Sequence, residues 1–133
     1  MKLLVFGSNG LVGNSLKRLF ENSNLFNSTY FSTREDTNLF NLNETSKLIS
    51  EYSPDIVINA AAKVGGIYAN NTKRTEFLMD NLKININILE SCIPNNKIKV
   101  INLGSSCIYP LNAENPITEN SFMTGVLELS LIH

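Results

Sequence analysis

The segment Gly7-Ser-Asn-Gly10-Leu-Val-Gly13 constrains this chain more than any other, because it joins a strand pattern directly to a helix pattern. Ahead of it, Lys2-Leu-Leu-Val-Phe6 is a short unbroken apolar run, as expected of a strand covered on both faces. Behind it, Val12, Leu16, Leu19 and Phe20 fall at i, i+4, i+7 and i+8, one stripe of a helix starting near Leu11. In that setting Gly7 permits a tight turn, Gly10 lets the backbone approach a pyrophosphate, and Gly13 lets the helix pack closely on the sheet. The phosphates then meet the positive end of the helix. The alternative is an ordinary glycine turn; three glycines at this spacing between a strand and a helix favour the nucleotide site.

The same alternation continues. Ser28 to Phe31 reads as a second, weaker strand, followed by a polar turn from Ser32 to Asn38. Asn43 is positioned to cap a helix carrying Leu48, Ile49 and Tyr52, which Pro54 ends. Asp55-Ile-Val-Ile-Asn59 is a third strand and Lys97 to Leu103 a fourth. Between them, Lys83-Ile-Asn-Ile-Asn-Ile88 alternates like a strand, while Leu78, Leu82, Ile86, Leu89 and Ile93 step by three and four along a helix. The stretch from Thr75 to Ile93 has no Gly or Pro, so its length decides for the helix. Strands alternating with helices predict an α/β fold with a doubly wound parallel sheet, and right-handed crossovers suggest the strand order 3-2-1-4. From about residue 111 to 133 an irregular tail is expected, with an apolar run from Val126 to Ile132.

Composition removes several classes. Hydrophobic residues make up 43% of 133, enough for one core and one domain. Eleven basic residues nearly cancel 12 acidic ones, leaving a net charge of −1 and no cluster of Lys or Arg; no nucleic-acid partner is expected. No apolar run approaches the roughly 20 residues of a membrane span, and no signal peptide opens the chain, so no membrane association is expected. Cys92 and Cys107 have no metal-ligand spacing, and no metal site is expected. Both read as free thiols in a reducing, cytoplasmic compartment.

Three further segments lie where strands end. After the second strand no acid appears until Glu35, whereas Arg34 can pair with a 2′-phosphate through its planar fork or simply be solvated. After the third, Asn59-Ala-Ala-Ala-Lys63-Val-Gly-Gly66 offers small residues against which a cofactor can lie; Lys63 alone reads as a solvated loop lysine. After the fourth, Leu103-Gly-Ser-Ser-Cys-Ile-Tyr-Pro110 puts two hydroxyls and a thiol at the lip of the fold. By themselves these are equally a turn and a half-buried thiol.

Taken together, Ala60-Ala-Ala-Lys-Val-Gly-Gly66 followed by Asn70-Asn71, and Leu103 to Pro110, resemble the GDP-L-fucose synthase family of the extended short-chain dehydrogenases/reductases. Pro116-Ile117, Glu119 and Thr124-Gly125 continue the likeness, which runs from Lys2 to about Glu128. The resemblance implies a Rossmann-like NAD(P)-binding domain, of which this chain is the amino-terminal part, with the substrate domain absent. It implies NADP(H) as cofactor, a GDP-sugar substrate, and a homodimer formed through helices of this half. It further implies conversion of GDP-4-keto-6-deoxy-D-mannose to GDP-L-fucose by 3,5-epimerisation and 4-reduction. Gly7, Ser8, Asn9, Gly10, Leu11, Val12 and Gly13 would then hold the pyrophosphate and Arg34 the 2′-phosphate. Leu103, Gly104, Ser105 and Ser106 would line the nicotinamide side. Ser105 matches the serine that hydrogen-bonds the 4-keto oxygen, and Cys107 the thiol that exchanges protons beside the ketone.

Two features depart from the family. Asn9 stands where some relatives carry an arginine beside the 2′-phosphate. No tyrosine has a lysine four residues on, and His133 is the one histidine, so the family's Tyr-x-x-x-Lys pair and histidine are missing. A truncated chain, inactive alone, is the resulting expectation, with its fourth strand's edge (Val100-Ile101) prone to aggregation. The competing readings are a non-catalytic dinucleotide-binding or partner-binding module, and another nucleotide-sugar epimerase or dehydratase.

Overall fold

Four short strands and the helices between them build a parallel sheet with helices on both faces. The computed structural model of the chain describes residues 1–126. The expected run to Ile132 beyond Val126, and His133, lie outside the described residues. In chain order the elements are β1 (Lys2–Phe6), α1 (Leu11–Phe20), β2 (Ser28–Ser32), α2 (Leu42–Tyr52), β3 (Ile56–Asn59), α3 (Ile67–Thr72), α4 (Arg74–Cys92) and β4 (Lys99–Asn102). Short 3₁₀ turns follow at Ser106–Ile108 and Glu119–Ser121. Two compact units divide the chain: Met1–Lys63 with Met79–Leu103, which holds the sheet, and Val64–Leu78 with the residues from Gly104.

The doubly wound α/β class follows the sequence, but the strand order does not. The sheet runs β2-β1-β3-β4, all parallel, with β1 pairing Leu3 to Thr29 on one side and to Ile56 on the other. The expected order 3-2-1-4 is corrected here. Handedness fixes which face a crossover helix occupies for a given direction of travel, and leaves the direction open. The chain reverses after β2: α1 covers one face, through Leu16 and Phe20 against Leu3, Val5 and Ile58. Helices α2 and α4 cover the other, with Ile49, Ile84, Ile88 and Cys92 against Leu4, Phe6 and Val57. Full burial of each large apolar side chain contributes about 1.5–3 kcal/mol. The polar β2, Ser28-Thr-Tyr-Phe-Ser32, suits an edge, whereas the unbroken Ile56-Val-Ile58 suits the interior.

Local chemistry explains the helix limits. Asn41, not Asn43, caps α2: its Oδ1 accepts from the backbone N–H of Asn43 (3.0 Å) and Glu44 (3.4 Å). The Glu44 carboxylate reaches back outside the helix, accepting from the Asn38 amide at 3.1 Å and from the Asn41 side-chain amide at 2.9 Å, which holds the cap residue in place. Ser53 ends α2 in the left-handed region with φ of 50°.

The helix expected over Thr75–Ile93 is present as α4, but its apolar stripe does not face the sheet. Leu78, Leu82, Ile86, Leu89 and Ile93 are 61%, 45%, 53%, 50% and 73% exposed. Ile84, Ile88 and Cys92 turn inward instead, with Asn87 and Ser91 buried among them. The α1 stripe is likewise split, since Leu16 and Phe20 pack while Val12 and Leu19 stay exposed.

Candidate functional site

The carboxyl ends of β1 and β3 meet where the chain reverses direction across the sheet. In a doubly wound sheet the ligand crevice opens at that switch point. Here the two loops touch backbone to backbone. Gly7 adopts a φ of +77°, and a Cβ placed on it would sit 2.6 Å from the Ala61 nitrogen and 2.7 Å from the Ala60 carbonyl. Gly13 is buried, and a Cβ there would overlap the Gly7 carbonyl oxygen and the Ser8 Cα. Both glycines are therefore required by the packing, whatever binds above them.

The loop itself is ordered by its own hydrogen bonds. The Gly10 amide donates to the Gly7 carbonyl at 3.0 Å, and the Asn14 side chain donates to the carbonyls of Asn9 (3.0 Å) and Gly10 (3.1 Å). Asn9, Gly10, Leu11 and Val12 are exposed, and the first N–H groups of α1 have no acceptor within the helix. A helix end of this kind is able to receive an anion. Ser8 differs from its neighbours: its hydroxyl donates to the Ser32 carbonyl at 2.8 Å and the residue is 2% exposed. Its side chain thus ties the glycine loop to the end of β2.

Arg34 is exposed in the turn that follows β2. The Asp36 carboxylate closes this turn by accepting from the Thr33 amide (2.7 Å) and hydroxyl (2.8 Å). Those donors hold the Asp36 carboxyl below the ordinary carboxylate range. The geometry leaves the Arg34 guanidinium outside the turn's own bonding.

After β3 a set of carboxamides governs the main chain. Asn59, 4% exposed, accepts from the Ala61 amide at 3.0 Å and donates to Asn85 Oδ1 (3.1 Å) and Asn102 Oδ1 (2.7 Å). Asn81 Oδ1 accepts from the Lys63 amide (2.8 Å) while its Nδ2 donates to the Lys63 carbonyl (2.9 Å). Lys63 Nζ pairs with Asp80, so the lysine is held rather than freely solvated. Sequence reasoning gave none of these asparagines a role. The available signal was positional: Asn59 and Asn102 end neighbouring strands in register, and Asn81 and Asn85 stand one helical turn apart.

Leu103 belongs with this first unit, its amide donating to the Asn59 carbonyl at 3.3 Å. Gly104, Ser105, Ser106 and Cys107 follow it in the chain but belong to the second unit. There Ser105 caps the 3₁₀ turn: its Oγ accepts from the Cys107 amide at 3.2 Å, which leaves its own O–H able to donate. Ser105 and Ser106 are exposed and Cys107 is 3% exposed. Among the described residues no group of three His, Cys, Asp or Glu side chains could hold a metal ion, and no helix is long and apolar enough to cross a membrane.

Residues 3–126 match the NAD dependent epimerase/dehydratase family. This chain belongs to that family. A putative GDP-L-fucose synthase 2 of Arabidopsis thaliana is 39% identical over 127 residues, 96% of this chain and 38% of that protein. A GDP-L-fucose synthase of Escherichia coli is 35% identical over 127 residues, 96% of this chain and 39% of that protein. The chain thus spans about two-fifths of the length of these relatives. Among solved structures, a GDP-L-fucose synthetase of Naegleria fowleri bound to NADP superposes with a TM-score of 0.81 at 30% identity, covering 96% of this chain and 38% of that one. A GDP-D-glycero-L-gluco-heptose synthase of Campylobacter jejuni superposes with a TM-score of 0.83 at 31% identity, covering 97% of this chain and 37% of that one.

Proposed function

We propose that this chain supplies the dinucleotide-binding part of a GDP-L-fucose synthase, which epimerises GDP-4-keto-6-deoxy-D-mannose at C3 and C5 and reduces it at C4 with NADPH. The observation that carries the reading is the switch-point cradle, where Gly7 has no space for a Cβ beside Ala60 and Ala61 and Gly10 stands at the N-cap of α1. That cradle fits a pyrophosphate, held by the loop from Gly7 to Gly13 with the backbone N–H groups of the first turn. Arg34 takes the 2′-phosphate, and Leu103 to Ser106 the nicotinamide side. NADPH bound there supplies the hydride for C4.

The chain's own groups do the rest of the work assigned to them. A ketone at C4 acidifies the hydrogens at C3 and C5, and each inversion takes a proton from one face of the sugar and returns one from the other, so one proton-exchanging group can serve both centres only with a partner on the opposite face. Cys107 is that group in this reading. Ser105, whose Oγ already accepts from the Cys107 amide, has its O–H left to donate to the keto oxygen and stabilise charge developing there. The Tyr-x-x-x-Lys pair that would deliver the final proton is not among these 133 residues, so this chain alone is expected to bind NADPH and not to turn over the keto sugar.

Titration of the chain with NADPH and NADH, followed by nicotinamide fluorescence, tests the proposal. NADPH is expected to bind more tightly, and Arg34→Ala to lower that preference roughly 10- to 150-fold, the range for losing one charge-assisted hydrogen-bond partner. Binding of neither nucleotide would overturn the reading.

The reading extends to a cytoplasmic homodimer. Two buried cysteines that form no disulfide suit a reducing compartment. Leu82, Ile86 and Leu89 leave an apolar strip of α4 in water, the kind of surface that a second copy covers. Sedimentation equilibrium is expected to give a dimer that Ile86→Lys converts to monomer; a wild-type monomer at high concentration would count against it.

A further inference from the structure

The loop leaving β3, Ala60-Ala-Ala-Lys63, has little side-chain bulk to lock it by packing, yet its main chain is held at three points. The Ala60 amide donates to the Phe6 carbonyl at 3.1 Å, the Ala61 amide to Asn59 Oδ1, and the Lys63 amide to Asn81 Oδ1. Asn81 closes the far end doubly, because its Nδ2 also donates to the Lys63 carbonyl. One carboxamide therefore serves both polar groups of a single residue, as a neighbouring strand would. It does so from α4, whose position is fixed by Ile84 and Ile88 in the core.

The strand order says which part of a bound dinucleotide this loop meets. In this sheet β1 lies between β2 and β3. The glycine loop above β1 takes the pyrophosphate, and the turn after β2 meets the adenosine ribose. An extended dinucleotide centred on β1 must then run its other half towards β3, over Ala60–Lys63. We infer that Asn81 is a positioning residue for the nicotinamide half of the cofactor: by clamping Lys63 it holds the β3 loop in the form that receives that half. The inference rests on the dinucleotide reading above.

The test separates the two halves. The 133-residue chain and its Asn81→Leu variant are titrated with NADPH and with adenosine 2′,5′-bisphosphate, which carries only the adenosine end. Asn81→Leu keeps the side chain's size and removes both bonds. It is expected to weaken NADPH by about tenfold, the scale of two lost hydrogen bonds, and to leave the adenosine bisphosphate unchanged. Equal effects on both ligands, or no effect on either, would overturn the inference, since general destabilisation does not distinguish the halves. Should the variant fail to fold, amide shifts of the wild-type chain decide: Ala61, Ala62 and Lys63 are expected to move with NADPH and not with the adenosine bisphosphate, and identical shifts would overturn the inference. A wild-type chain that binds neither ligand refutes the dinucleotide reading itself, a different result from a chain that binds both and ignores the substitution.

Discussion

Replacing Gly7 by alanine tests the architecture of the switch point more directly than any substitution of an exposed residue. The structure gives two independent costs. A φ of +77° is left-handed territory, where an L-residue loses about 1–2 kcal/mol. The added Cβ would also stand 2.6 Å from the Ala61 nitrogen and 2.7 Å from the Ala60 carbonyl oxygen, and these are backbone atoms that cannot swing aside. Forcing a methyl into filled space costs typically 1–3 kcal/mol. The sum, about 2–5 kcal/mol, is a large share of the roughly 5–15 kcal/mol that holds a domain together. Thermal unfolding followed by circular dichroism is expected to show Gly7→Ala melting on the order of 10 °C lower than wild type. Gly104 is the matched control. It has nothing within 4 Å of a built Cβ and no positive φ, and it caps no helix, so Gly104→Ala is expected to stay within about 0.5 kcal/mol of wild type. A Gly7→Ala chain that melts within about 2 °C of wild type would show that the two loops do not meet as described.

Two other perturbations follow from single contacts. Asn41→Ala removes the cap of α2 and is expected to cost about 1 kcal/mol in a urea titration, whereas Asn43→Ala, lacking a capping role, should cost clearly less. Burial raises the Cys92 thiol above its ordinary value, so the folded chain keeps a proton that the unfolded chain gives up. Stability from this group is therefore complete below the unfolded thiol's pKa of about 8.5 and declines as pH rises towards the higher folded value. Urea midpoints at neutral and alkaline pH should fall further apart in wild type than in Cys92→Ala; equal differences would argue against a buried neutral thiol.

Much of the fold was written in local patterns. β1 and β3 are short unbroken apolar runs and α1 a run with helical spacing, and the glycines that follow β1 admit few alternatives. What escaped was direction and facing. The order of strands depended on the reversal after β2, and the only trace of it was the polarity of Ser28-Thr-Tyr-Phe-Ser32 as an edge. On α4 the most regular apolar stripe, Leu78 to Ile93, is the outward one. Its inward face mixes Ile84, Ile88 and Cys92 with Asn87 and Ser91, and mixed faces give no clear period. The polar members are nonetheless satisfied: Asn87 donates to the Leu39 carbonyl at 2.8 Å, and the Ser91 hydroxyl meets that of Ser46 at 2.8 Å.

The same asymmetry separates the legible part of the site from the part that stayed hidden. Gly13 was readable because its constraint lies within a few residues of chain, against Gly7 and Ser8, and Gly7 because its own turn takes a φ of +77°; its close approach to Ala60 and Ala61 was not readable. Asn59, Asn81, Asn85 and Asn102 satisfy constraints between elements 18 to 43 residues apart, which exist only once register and helix facing are set. A crevice lined by glycine and alanine cannot be held in shape by its own side chains. Its rigidity has to come from polar groups reaching in from the surrounding elements, and carboxamides suit this because one group both donates and accepts. The unusual density of asparagine in a nearly neutral chain thus has a structural use at the carboxyl edge of the sheet, where Asn59 links β3 to both β4 and α4.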